Sequence, residues 1–132
     1  MDPARFKAIP LFGDLPGAEL EKLAAVARES EVEAGDSLAV EGDFGHCLFA
    51  IESGTADVVA GTETIGSVGP GDVVGEIAVL ASGRRTASLV ATSPMRVITV
   101  FKRDVWALER DAPEVARRLR ELVAEHQASS GS

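Results

Sequence analysis

Apolar positions change their spacing along this chain of 132 residues, and each change marks a different kind of element. In the stretch LPGAELEKLAAVARES, Leu20, Leu23, Ala24 and Ala27 recur at spacings of three, one and three, which places them on one face of a helix. Beyond residue 35 the helical spacing is lost. The runs DSLAV, HCLFAIES, TADVVA and TETIGSV are separated by glycines, and ten of the thirteen glycines fall between residues 35 and 83. Short β-type runs at regular spacing with glycine turns predict antiparallel strands of a barrel or sandwich. TASLVAT and MRVITVF add two more strands. In the second, Val97, Thr99 and Phe101 alternate with Ile98 and Val100, so the strand is expected to be buried on both faces. Helical spacing returns in RDVWALER and in DAPEVARRLRELVAEHQ. Val115, Leu119, Leu122 and His126 form one stripe there, at spacings of four, three and four. Asp111 can N-cap that helix, with Glu114 three residues later completing a capping box. Trp106 is expected to pack the shorter helix against the sheet.

The outline is therefore an α+β domain: an antiparallel β-roll (a jelly-roll-like barrel) of eight or so strands, an N-terminal helix and two C-terminal helices. Residues 1–127 read as one domain, and 128–132, ASSGS, as a flexible tail or linker. Totals narrow the function. No apolar run approaches the length of a membrane span, and the first residues, MDPARFKAIP, hold no signal-peptide core. A soluble cytoplasmic protein is expected, in keeping with the lone Cys47, which reads as a small buried hydrophobe. The net charge is −8. Nine of the thirteen basic residues lie from Arg84 onward, but no groove-reading motif accompanies them, so nucleic-acid binding by this chain alone is not expected.

Charge also isolates one segment. Between Glu29 and Gly83 there is no lysine or arginine and eleven Asp and Glu; then Arg84 and Arg85 arrive together in GEIAVLASGRRTAS. Gly75 allows close backbone approach or a positive φ. EIAVL is long enough for one short helical turn, whose first N–H groups lack intrahelical partners and attract an anion. After the turn at Ser82-Gly83, Arg85 is expected to enter a strand with Thr86, Ala87 and Ser88. A guanidinium beside open N–H groups makes a phosphate site, and Ala78 and Ala87 leave room. Glu76 would repel a bare phosphate, but it suits a neighbouring ribose hydroxyl. Phosphate plus ribose implies a nucleotide. The bland readings are an empty Arg85–Glu76 bridge and a solvated Arg84.

Residues 74–80, VGEIAVL, followed by RRTASL at 84–89, resemble the phosphate-binding cassette of cyclic nucleotide-binding domains. EGDFGHCLFAIESGTADV, SVGPGDVVGEIAVL, the N-terminal lead-in and FKRDVWALERDAPEVARRL resemble the same family, so that residues 5 to 127 are covered. The resemblance implies that Arg85 pairs with the cyclic phosphate and Glu76 holds the ribose 2′-hydroxyl. Gly75, Ile77 and Ala78 would contribute N–H groups or close approach, Thr86 its hydroxyl and Ala87 its N–H. It further implies cAMP as ligand, with cGMP possible through Thr86; no other cofactor is expected. The C-terminal helix, Ala112 to about Gln127, would close over the base and bring His126 to the ligand. An output domain or effector protein beyond the C-terminus would receive the signal. Val74, Arg84, Phe44 and His46 depart from the family pattern and bear on loop shape. Two other classes stand against this reading: the same fold as a non-binding interaction domain, and a metal-dependent β-barrel enzyme. The enzyme needs clustered ligands that His46 and His126, eighty residues apart, do not supply.

Overall fold

The computed structural model describes residues 1–130, with side chains through Gln127. A 3₁₀ turn over Pro3–Ala8 leads into α1 (Gly17–Val26). Eight strands follow: β1 (Arg28–Val32), β2 (Ser37–Ala39), β3 (Cys47–Ser53), β4 (Ala56–Ala60), β5 (Glu63–Val68), β6 (Val73–Val74), β7 (Ser88–Ala91) and β8 (Met95–Phe101). A π-type turn over Ala78–Ser82 lies between β6 and β7, and α2 (Lys102–Asp111) and α3 (Pro113–Ser130) come after β8. The strands form two antiparallel four-stranded sheets, in the orders β1-β8-β3-β6 and β2-β7-β4-β5.

Two cores share the first sheet. Phe49 and Ile51 of β3 and Val97 of β8 pack with Leu89 and Ala91 of β7, inside the roll. Their sequence neighbours Leu48, Ala50, Ile98 and Val100 pack on the other face, against Leu20 and Leu23 of α1, Val105 and Leu108 of α2, and Val115 and Leu119 of α3. Successive strand residues point to opposite faces, so β3 and β8 carry apolar residues at consecutive positions because both faces are covered. Each fully buried aliphatic side chain contributes about 1.5–3 kcal/mol. The helices are therefore fastened to the sheet that carries β6, the strand leading into the 75–88 segment.

Three local expectations are corrected. Residues 28–30, read with the helical stretch, instead begin β1, which pairs with β8 from Arg28↔Thr99 to Val32↔Met95; Ala27 lies just past α1. Ladder pairing along β8 overrides the weak helical preference of RES. Trp106 does not pack the helix: it is 58% exposed, with the Lys102 ammonium 5.2 Å from its ring centre. Val105 and Leu108 take the buried face of α2, and Trp106 is turned away from it by one residue's rotation. The capping box does not form either. Asp111 still belongs to α2 and pairs with Arg110, while Glu114 pairs with Arg117. The Val115 N–H donates instead to Glu19 Oε1 of α1, at 3.0 Å. A cap supplied from another helix leaves no local sequence signal. Glu19→Ala should lower stability by about 1 kcal/mol, visible as a drop of several degrees in thermal unfolding, whereas Glu114→Ala should change it by less than half as much.

The backbone of α3 continues through residues 128–130 of the expected tail; 131–132 lie outside the described residues. No helix among the described residues is long and apolar enough to cross a membrane.

Candidate functional site

The segment after β6 is shaped by two glycines. Gly75 has φ +84° and Gly83 φ +75°, left-handed conformations that side chains with a Cβ rarely adopt. Between them Glu76 and Ile77 are helical and lead into the π-type turn, so the expected short helical turn is present but runs on to Ser82.

Arg85 does not enter a strand. β7 begins only at Ser88, and residues 85–87 form a loop. The backbone here is claimed by another partner, the 42–45 loop. Gly42 N–H donates to Arg85 O at 3.0 Å, Arg85 N–H to Asp43 O at 2.7 Å, and Gly45 N–H to Gly83 O at 3.0 Å, around a bridge between Phe44 and Arg84. The two loops touch so closely that a Cβ on Gly45 would lie 2.3 Å from that of Ala78. Arg84 remains exposed but is not merely solvated. Its Nη1 donates to Gly42 O at 2.9 Å, and its guanidinium lies 4.1 Å from the Phe44 ring centre, clasping the loop.

The side chain of Arg85 is buried, with 8% exposure. Nη2 donates to Cys47 O at 2.8 Å and Nη1 to Gly75 O at 3.3 Å, and the guanidinium carbon lies 5.4 Å from the centre of the Phe49 ring. These partners are all neutral. Among the described residues no carboxylate lies within ion-pair distance of Arg85, so the empty Arg85–Glu76 bridge does not form. Burying a cation without a counter-charge is unfavourable; here the acceptors hold the fork in place and leave its charge uncompensated. The Cys47 thiol is half-buried, 3.7 Å from Nη2. Burial pushes it above the usual thiol range and outweighs the opposing pull of Arg85, which suits a packing role better than a reactive one.

Glu76 is more deeply buried, at 2% exposure. Its Oε1 is hydrogen-bonded to Nδ1 of His126 on α3. Its Oε2 is buried and has no hydrogen-bond partner among the described residues. An imidazole N–H at Nδ1 is a donor from which Oε1 can accept.

One cavity of about 820 Å³ brings together Gly75, Glu76, Ile77, Ala78, Arg85, Thr86, Ala87 and His126. Ala39, Val58, Ile65, Val68 and Leu89, from the second sheet, add apolar wall. The size and the mix of apolar lining with a few convergent polar groups are those of a small-molecule site. His126 lines this cavity itself and is also hydrogen-bonded to Glu76. Sequence reasoning missed three contributors: the Cys47 carbonyl that orients Arg85, Gly45 that admits Ala78, and the apolar wall. The first is a backbone group and carries no residue signature. Gly45, inside EGDFGH, could have been flagged as a close-approach glycine.

The sequence profile of the cyclic nucleotide-binding domain matches residues 29–111, more than half of the chain. The chain is 33% identical over 114 residues to a cAMP-dependent protein kinase regulatory subunit of Hypocrea atroviridis, covering 86% of this chain and 25% of that protein. It is 32% identical over 123 residues to the cyclic AMP receptor protein of Thermus thermophilus, covering 89% of this chain and 57% of that protein. It thus spans from a quarter to just over half of the length of these curated relatives. The crystal structure of the Thermus thermophilus catabolite activator protein superposes with a TM-score of 0.81 at 29% identity, over 92% of this chain and 60% of that one. With the profile, the two-sheet roll and the cavity in agreement, the chain belongs to the cyclic nucleotide-binding domain family.

Proposed function

We propose that this chain is a sensor module that binds cAMP in the cavity beneath α3 and reports occupancy through that helix. The observation that carries this reading is Arg85: a buried guanidinium, oriented by two carbonyls, with no carboxylate among the described residues to balance it. A cyclic phosphate is the anion of matching size and geometry for that fork. Glu76 would accept from the ribose 2′-hydroxyl. The backbone at Gly75, Ile77, Ala78 and Ala87 would approach the phosphate, and the Thr86 hydroxyl would meet the ligand beside it. The apolar wall of Val58, Ile65 and Leu89 suits a purine face. The names of the kinase regulatory subunit and the receptor protein favour cAMP; Thr86, exposed on the cavity rim, keeps cGMP as the second candidate. An output domain or effector would receive the signal, as a population shift driven only by the better contacts of α3 with the occupied site.

The test is calorimetric titration with cAMP, cGMP and AMP, paired with hydrogen exchange. cAMP should bind tightest and AMP weakest, and bound cAMP should protect both residues 75–88 and residues 112–127. At a hundredfold excess over Kd it should raise stability by about 2.7 kcal/mol. Tighter binding of cGMP would reverse the ligand preference. Protection confined to 75–88 would remove α3 from the mechanism. Failure of all three ligands to bind would return the chain to the reading of a non-binding interaction domain.

A further inference from the structure

The two oxygens of Glu76 stand in different situations. Oε1 is taken by the His126 ring; Oε2 is buried without a partner among the described residues. A buried polar atom left in that condition is unfavourable, and Glu76 lines the cavity, so a ligand hydroxyl is the donor that would satisfy it. The terminal torsion of a glutamate is broad and two-fold. Left alone, the carboxylate would sample orientations in which neither oxygen meets that hydroxyl well. The hydrogen bond from Nδ1 fixes the torsion. The ring comes from α3, fifty residues away in sequence, and beyond the 29–111 segment that matches the family profile. The group that orients the carboxylate is therefore supplied by the helix and not by the cassette.

We propose that His126 is a positioning residue for the ribose subsite. By holding Glu76 Oε1, it presents Oε2 to the ligand's 2′-hydroxyl, so that seating of the end of α3 and recognition of that hydroxyl become one event. This rests on the cavity being a cyclic nucleotide site. A residue that only packed α3 would affect every ligand alike, whereas a positioning residue affects the hydroxyl selectively. His126 is half-buried near the end of a long helix whose packing residues, Val115, Leu119 and Val123, lie earlier, so its replacement should spare the fold.

The experiment is calorimetric titration of the whole chain, as wild type, His126→Ala and His126→Asn, with cAMP and with 2′-deoxy-cAMP. Wild type should prefer cAMP by about ten- to a hundredfold, the effect of one hydrogen bond to a charged group. His126→Ala should lose about tenfold of that preference, through weaker cAMP binding with the 2′-deoxy ligand little changed. His126→Asn, whose amide N–H can stand near the Nδ1 position, should recover most of it. Equal weakening of both ligands, an unchanged preference in His126→Ala, or tighter cAMP binding in His126→Ala would each overturn the proposal while leaving the nucleotide site standing. Failure of wild type to bind either ligand would overturn the site reading itself, and this inference with it.

Discussion

Arg85→Ala should weaken cAMP binding by about tenfold to more than a hundredfold, because a hydrogen bond to a charged group contributes about 1.5–3 kcal/mol. The same substitution should leave stability without nucleotide unchanged or slightly raised. The guanidinium is buried among neutral acceptors, and removing an uncompensated buried charge relieves desolvation. Loss of binding with retained stability is the signature of a residue kept for a ligand. Arg85→Lys should fall between, since the ammonium keeps the charge but not the planar two-point geometry. Arg84→Ala is the control: its guanidinium is held on Gly42 O and Phe44, so it should loosen the 42–45 loop and change affinity by no more than a few-fold. If the Arg84 substitution proves the more damaging of the two, the phosphate anchor has been assigned to the wrong arginine. Titration with cAMP and thermal unfolding without it decide the matter together.

Gly75→Ala should reduce both stability and binding, and a second glycine separates the two effects. At φ +84° a Cβ is disfavoured by about 1–2 kcal/mol. It would also lie 2.6 Å from Arg85 Nη1 and 3.4 Å from Cys47 O. The guanidinium is the mobile member of that clash, so it should yield, leave its carbonyl partners, and lower cAMP affinity by about tenfold or more. Gly83 has φ +75° with open space where its Cβ would go. Gly83→Ala should therefore match the stability loss and leave affinity within about twofold of wild type. Equal binding losses at both positions would mean that backbone strain in the segment, and not displacement of Arg85, governs the site.

How much of this was legible beforehand differs by scale. The cavity residues of the 75–88 segment were recognisable because that segment is local, whereas the apolar wall from the second sheet was not. The segment's glycines, its short turn and its arginine lie within fourteen residues, and the need for positive φ and for a fork beside N–H groups acts over that distance. The roll was legible because glycine punctuation and apolar runs mark most of its strands, β1 excepted, and because β3 and β8, covered on both faces, carry apolar residues at consecutive positions.

What the sequence left open were the matters in which distant backbone or side chains compete for the same group. Arg85 was expected in a strand, but its N–H and C=O are taken by the 42–45 loop, so β7 starts three residues later. Asp111 had the pattern of a cap, yet the break between α2 and α3 falls one residue after it, and Glu19 of α1 reaches Val115 N–H first. Trp106 looked like a core residue because aromatic side chains usually are, but the buried face of α2 passes through Val105 and Leu108. The stripe on α3 located His126 on the inward side; only packing against the first sheet brought it to Glu76 rather than elsewhere along the cavity. By itself the sequence determined the fold class, and it singled out the 75–88 segment and Arg85 for the proposed site, because those depend on local backbone and residue type. Tertiary structure decided which carbonyls aim that arginine, which helix caps α3 and what the Glu76 carboxylate faces, because each is settled by distances between groups far apart in the chain.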